Sequence, residues 1–520
     1  MSASLLSSFV IGYFILLLVV AWVTSRNSNN DSFFIGNRNS NWMLVAFGMV
    51  GTSLSGVTFV SVPGTVGDYA GNVHKGFAYF QVVIGYFFGY LVVAFVLLPL
   101  YYRMNLTSIY NYLQKRFGTI AYKTGALFFI ISRTVGATAR LYLVIFVLQE
   151  FILKSFGIPF VVTALIILLM ILLYTFEGGV KTIVYTDTLQ TTLMLAGLVV
   201  TVIYILNNMN LSVGEAMRTL TDKGYTTIFN TDPKSGGFFL KQIIGGMFIT
   251  ISMFGLDQEM MQKNISVKNL KDSQKNMITF NLVSAGVNFL FLLLGGLLYL
   301  YALNHGAEYA QVTSDAGVTK MQLLSNGKNI MGDELFPTIA MNFMPKAIGI
   351  IFIIALISAL FPSADGALTA LTSSFCIDIL GLKRREDLTE KQQKKIRLTV
   401  HLSFSIIFLI CIMIFYQIGN RSIIDKILTL AGYTYGPLLG LFAFGILSKR
   451  ALPSTMLITI ICLAAPIICY VISQNSVQWF NGYQIGIELL IINGSLTYLG
   501  LLSISKKATE HTIMGDTINQ

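Results

Sequence analysis

The feature that most constrains this chain is the recurrence of apolar runs long enough to cross the roughly 30 Å hydrocarbon core of a bilayer. They fall at about 5–25, 42–64, 75–101, 122–151, 158–176, 182–206, 237–262, 277–303, 346–376, 396–417, 423–447, 452–473 and 483–504, thirteen in all. With 54% hydrophobic and only 11% charged residues over 520 positions, the composition is far from that of a soluble chain. The expectation is an all-α polytopic membrane protein, with a single transmembrane domain over residues 1–507 and a short cytoplasmic tail, 508–520.

A net charge of +11 would suggest a nucleic-acid partner in a soluble protein, but here it is read loop by loop. Placing the N-terminus outside gives the inner loops about twice the Lys and Arg of the outer ones, as the positive-inside rule asks. The N-terminus is therefore expected outside and the C-terminus in the cytoplasm. The first run, Leu5 to Val23, lacks a basic start and a cleavage site and is expected to remain as a span. Cys376, Cys411, Cys462 and Cys469 lie in apolar stretches, with neither metal spacing nor a disulfide framework. No nucleophile motif stands outside the membrane, so an enzyme is not expected. The long outer loops, 207–236 and 304–345, read as surface or short amphipathic helices.

Two spans carry interruptions. In the second, FGMVGTSLSGVTFVSVPG, the residues Gly51, Ser53, Ser55, Gly56 and Thr58 crowd the middle of an apolar segment. Glycine favours non-helical backbone, and Ser and Thr can satisfy the groups an unwound helix releases. Five spans later the seventh, GGFFLKQIIGGMFITISMFGLDQEMMQ, repeats the pattern with a Gly-Gly pair, Thr250, Ser252 and Gly255. Paired glycine-interrupted segments in corresponding halves point to an inverted-repeat transporter with its site at the bilayer midplane. Close helix packing through small residues is the alternative.

Ionisable groups inside spans need a reason, since each costs roughly 2.5–3.5 kcal/mol at mid-helix. Asp187 in the sixth span sits among Thr186, Thr188 and Gln190. It reads either as an oxygen cage for a monovalent cation or a proton, or as a helix N-terminal cap. Arg133 and Arg140 of the fourth span lie seven residues apart on one helix face. They could grip a substrate carboxylate, pair with an acid on another span, or reach an interface. In the ninth span Pro362 frees the carbonyl of Ser358 beside Ser363 and Asp365, which suits a Na⁺ site or a packing kink.

The stretches YTFEGGVKTIVYTDTLQTTLML (174–195), FGLDQEMMQKNISVKN (254–269), LTSIYNYLQKRFG (106–118) and YGPLLGLFAFGILSKR (435–450) resemble the sodium:solute symporter family, which includes sodium/proline, sodium/galactose and sodium/sialic acid cotransporters. The resemblance implies the leucine-transporter fold, with two five-helix inverted repeats at about 42–206 and 237–447, and Na⁺-driven alternating access. It implies a shared Na⁺ site at the carbonyls of Gly51, Leu54 and Ala359 with side chains at 362 and 363. This chain has Pro362 and Ser363 there, one hydroxyl fewer than the family pattern. Asp187 matches an aspartate that serves a second Na⁺ in some members, giving one or two coupling ions. Ser53, Ser55 and Thr58 are similar to the segment that offers hydroxyls to sialic acid, and the arginine of those transporters falls near Gly136, between Arg133 and Arg140. Thr250 stands where galactose transporters have an asparagine, and an inner gate maps to Met253 and Phe254. Gln81, Tyr433 and Thr434 are further cavity candidates.

The resulting expectation is Na⁺-coupled uptake of a small polar organic solute, preferably one bearing a carboxylate. A neutral sugar, polyol, amino acid or vitamin is the alternative, and a channel or a transporter-like sensor lies outside the class. The partners expected are Na⁺, the solute and the lipid of a plasma membrane, with the bacterial inner membrane favoured and no nucleic acid.

Overall fold

The computed structural model describes all residues except 1–2, 26–32, 35, 71–72, 176–178, 314–318, 419–422 and 508–520, so the expected cytoplasmic tail lies outside the described residues. The principal helices are α1 (Ala3–Thr24), α2 (Trp42–Ser53), α3 (Gly56–Thr65), α4 (Tyr79–Arg103), α5 (Thr119–Phe151), α6 (Phe160–Thr175), α7 (Gly179–Asn208) and α8 (Phe239–Gly255). They continue with α9 (Gln258–Ile265), α10 (Leu270–Asn304), α11 (Lys346–Ile379), α12 (Glu390–Ile418), α13 (Ile423–Thr434), α14 (Gly436–Leu447), α15 (Leu457–Trp479) and α16 (Leu489–Ile504). Eight are single helices long and apolar enough to cross a membrane. The outer ones expose their apolar side chains, as Ile406, Ile410 and Ile414 do on α12, which is the surface a lipid-facing helix presents.

Two spans are bent pairs. Between α2 and α3 the axis turns by 56°, and between α8 and α9 by 65°. The first break is the dipeptide Leu54–Ser55, where Leu54 adopts φ −85°, ψ 68° and Ser55 is extended. The glycine nearest it serves another purpose. A Cβ on Gly51 would lie 2.2 Å from Thr191 Oγ1, so this glycine lets α7 lie directly against α2. In the seventh span, likewise, a Cβ on Gly246 would meet the Val82 carbonyl at 2.5 Å, while the break comes ten residues later at Leu256–Asp257. The glycines thus mark close packing, and polar residues mark where the helix stops.

The eleventh span also divides, at Tyr435, with Pro437 in the first turn of α14, where its missing amide costs nothing. The ninth does not divide: α11 runs through Pro362 as one helix.

The outer loops are mixed. Within 207–236, Val213–Asp222 is a helix started by a capping box in which Ser212 and Glu215 bond each other's backbone. The Ser212 hydroxyl and amide hold the Glu215 carboxyl below its ordinary pKa. Within 304–345 the expectation of short helices holds only for the second half, at Leu335–Thr338 and Ile339–Phe343; before it, Glu308–Thr313, Thr319–Ser325 and Lys328–Asn329 form a three-stranded antiparallel sheet. The Asn326–Gly327 pair, both at positive φ, joins the last two of these strands in a two-residue hairpin with Ser325 opposite Lys328.

Candidate substrate cavity and buried charge network

The break in the second span opens onto a cavity of about 90 Å³. Ser53, Leu54, Ser55 and Thr58 line it from α2, α3 and the break, Arg140 from α5, and Met253 and Phe254 from the last turn of α8. Organic ligand sites usually hold about 300–1,000 Å³, so the cavity is contracted in this conformation. Phe254 stands edge-on to Tyr90 with ring centres 5.0 Å apart, and Phe280 closes the same aromatic group at 5.8 Å from Phe254.

Two stripes escape a reading that looks for glycines and charges. Tyr79, Val83, Tyr86 and Tyr90 present one face of α4, and Asn281, Ser284, Ala285 and Asn288 one face of α10. Both follow the i, i+3/i+4, i+7 spacing that a helix gives a single face, and the amides on an apolar helix were the available signal. Asn281 donates to the Phe87 carbonyl at 3.1 Å, and Asn288 to that of Ser284 at 2.8 Å. The Ser284 hydroxyl and the Asn288 carbonyl oxygen have no hydrogen-bond partner among the described residues.

Arg140 has no carboxylate within 4.0 Å among the described residues. Arg133, two turns away, does not reach the cavity. It is buried, bonded to Glu259 and 3.9 Å from Asp257, so of the roles open to it the structure gives the ion pair with another span. Asp257 organises the second break. Its Oδ1 accepts from the amides of Glu259 and Met260 at 2.9 and 3.3 Å, capping α9, while Oδ2 accepts from the Tyr435 hydroxyl at 2.8 Å. Gln258 receives the Ile109 amide and donates to the Thr107 carbonyl, both at 3.0 Å, fixing the loop before α5.

Lys263, which follows directly on the seventh apolar run at 237–262, is buried in α9. Its ammonium donates to Asp187 Oδ2 and to Thr52 Oγ1, each at 2.7 Å, and lies 3.9 Å from Glu259. Asp187 was expected to face a free cation or to cap its helix; its facing charge is this lysine.

Gly51, Leu54, Ala359 and Ser363 are all buried. Gly51 and Leu54 flank the end of α2, whose last carbonyls have no following helical amide. The Ser363 hydroxyl donates to the Leu360 carbonyl at 2.9 Å, and Asp365 accepts from Tyr174 at 2.7 Å. The other candidates stand elsewhere. Thr250 is buried against Gly89, where a Cβ would come within 2.5 Å of it. Gln81 lines a larger cavity of about 1260 Å³ formed with residues of the 223–237 loop, to which Tyr79 also contributes. Thr434 bonds the Leu430 carbonyl at 2.9 Å, and Tyr433 lies tilted against Tyr470 with ring centres 6.1 Å apart; neither lines the cavity.

Two bent helices that line one cavity, largely apolar with hydroxyls, amides and an arginine set into it, define a transporter of the broken-helix class. The chain belongs to the sodium:solute symporter family, whose model matches residues 33–462. It is 24% identical over 487 residues to the sodium/sialic acid symporter SiaT of Proteus mirabilis, covering 93% of this chain and 92% of that one. The similarity to the sodium/sialic acid symporter NanT of Aliivibrio fischeri is 25% over 488 residues, with 93% and 90% covered. Among solved structures, a substrate-bound, outward-open Na⁺-coupled sialic acid symporter superposes with a TM-score of 0.77 at 20% identity, covering 97% of this chain and 99% of that one. The leucine-transporter fold expected from the resemblance is thus the fold of this chain.

Proposed function

We propose that the protein is a Na⁺-coupled symporter that imports a small polar solute bearing a carboxylate. The observation that carries this reading is Arg140, a guanidinium lining an intramembrane cavity with no carboxylate within 4.0 Å among the described residues. A half-buried arginine between membrane spans without a carboxylate close by is costly, and a solute carboxylate would supply the charge and a matching fork of acceptors. The hydroxyls of Ser53, Ser55 and Thr58 and the amides of Asn281 and Asn288 would take the solute's remaining polar groups. Relatives described as sodium/sialic acid symporters fit a solute with one carboxylate and many hydroxyls.

Coupling follows from the break. Na⁺ held by the Gly51 and Leu54 carbonyls together with Ala359 and Ser363 would tie α2 to α11 and favour the state that accepts solute; its departure inside would release both. Met253 and Phe254 would close the cavity on the inner side. The protein would lie in a plasma membrane, N-terminus out and C-terminus in, with residues 42–206 and 237–447 as its two repeats.

The test is thermal stabilisation of the purified protein by Na⁺ with a panel of acids, sugars and amino acids. An acid stabilising only when Na⁺ is present is the expected result. Stabilisation by neutral sugars and by no acid would replace the carboxylate with a neutral solute, which the two asparagines could also serve.

A further inference from the structure

We propose that the α10 wall of the cavity selects the solute: Ser284 and Asn288 receive a neutral N–H or O–H group, so the solute is a hydroxylated or N-acylated acid rather than a plain alkanoate or an α-amino acid. The inference rests on the symporter reading above and narrows its solute class.

Asn281, Ser284 and Asn288 are 3%, 5% and 3% exposed, on a membrane helix whose outward residues Leu282, Val283 and Phe289 are apolar. A polar atom at that depth needs a partner. The Asn281 amide has one in the Phe87 carbonyl, and the Asn288 amide in the Ser284 carbonyl. Because a backbone carbonyl can only accept, the Asn288 atom facing it is the nitrogen, and the carbonyl oxygen Oδ1 is turned away. That oxygen and the Ser284 hydroxyl have no hydrogen-bond partner among the described residues, and both side chains line the cavity. An acceptor and a hydroxyl one turn apart are thus left for a group from outside, and the acceptor requires an N–H or O–H.

The charge balance decides between a neutral donor and an ammonium. Arg140 is the only charged side chain among the described residues that line the cavity, and a solute carboxylate neutralises it. A solute ammonium would then lack a counter-charge. The buried acids lie outside the cavity wall and are already engaged: Asp187 by Lys263, Glu259 and Asp257 by Arg133, and Asp365 by the Tyr174 hydroxyl. An unpaired ammonium between membrane spans is costly, whereas a hydroxyl or an acylated N–H makes the same hydrogen bond without a charge. A plain alkanoate fails in the other direction, because it leaves Asn288 Oδ1 and the Ser284 hydroxyl unpaired.

The fold also separates the two poles. α10 packs on α2, α3 and α4, while α5 packs on α3 and α11, so Asn288 and Arg140 enter the cavity from different walls. A solute that spans them carries its donor group away from its carboxylate.

The experiment measures apparent affinities from the melting temperature of the purified full-length protein in saturating Na⁺. Two matched pairs are titrated: gluconate against hexanoate, of equal chain length, and N-acetylalanine against alanine. Gluconate and N-acetylalanine are each expected to bind at least about tenfold more tightly than their counterparts. Asn288→Leu, which keeps the side-chain size and removes both polar atoms, should weaken gluconate about 10- to 30-fold and leave hexanoate within about threefold. Half-maximal stabilisation by Na⁺ alone should move by less than about twofold in this variant, a split that a merely structural role would not produce. Ser284→Ala should weaken gluconate about three- to fivefold. Equal affinities within either pair, tighter binding of hexanoate or alanine, or an Asn288→Leu protein that keeps the wild-type preference would overturn the inference while the acids still bind. Failure of all four compounds to shift the melting temperature would overturn the carboxylate reading itself, and this inference with it.

Discussion

Arg133 and Arg140 stand two turns apart on α5 with the same side-chain chemistry, yet they belong to different parts of the machine. Arg133 points into a string of alternating charges, Asp187, Lys263, Glu259, Arg133 and Asp257, that stitches α9 to α5 and α7. Arg140 lines the cavity, whose hydroxyls, amides and tyrosine rings include no acid among the described residues. One arginine has its counter-ion in the fold, and the other waits for one from outside. The lesson is that an intramembrane charge declares function by the absence of a partner rather than by its own presence.

The comparison breaks most severely if Glu259 is neutralised. Glu259→Gln should leave Arg133 buried and poorly compensated, costing about 3–5 kcal/mol of stability. The measurement is the melting temperature in detergent, and an unchanged value would mean that the pair does not hold the inner helices.

Arg140→Gln should do the opposite: a wild-type melting temperature within a few degrees, but acid uptake weakened about 10- to 100-fold, the range of a lost charge-assisted bond. Equal losses of Na⁺ and solute affinity would make Arg140 structural like its neighbour. Arg140→Lys sharpens the point, since it keeps the charge and removes the fork. A fall in acid affinity of about fivefold is expected, read from the half-saturation for uptake. The smallest effect belongs to Gln81→Ala. Because Gln81 faces the outer cavity, the half-saturation for solute should stay within about twofold of wild type; a tenfold rise would extend the solute site outwards.

Much of this architecture is legible in the chain. The apolar runs locate the helices, and the segment FGLDQEMMQK contains an N-cap, a loop clasp and an acid for Arg133 at 257–259 and, one turn further on, the lysine of Asp187. The Asn-Gly hairpin at 326–327 was equally available, written in the residues that turn requires. Other features were hidden. Gly51 looks like a breaker and acts as a spacer for Thr191, since sequence does not say whether a glycine is chosen for its backbone or for its missing Cβ. Thr250 and Gln81 sit on the right helices and face the wrong way for the cavity, because the rotation of each helix is set by its neighbours.

The sequence by itself determined a polytopic helical membrane protein, the two spans that must break, and the short inventory of charges that such a protein cannot carry idly. Those properties are local: hydropathy, spacing and backbone preference act within a few turns. Only the tertiary structure decided which charge meets which. Arg133 pairs with a residue 126 positions away and Asp187 with one 76 positions away, separations over which periodicity carries no information. Pairing depends on how helices rotate and approach in three dimensions, and that pairing separates the arginine that holds the protein together from the one that faces its solute.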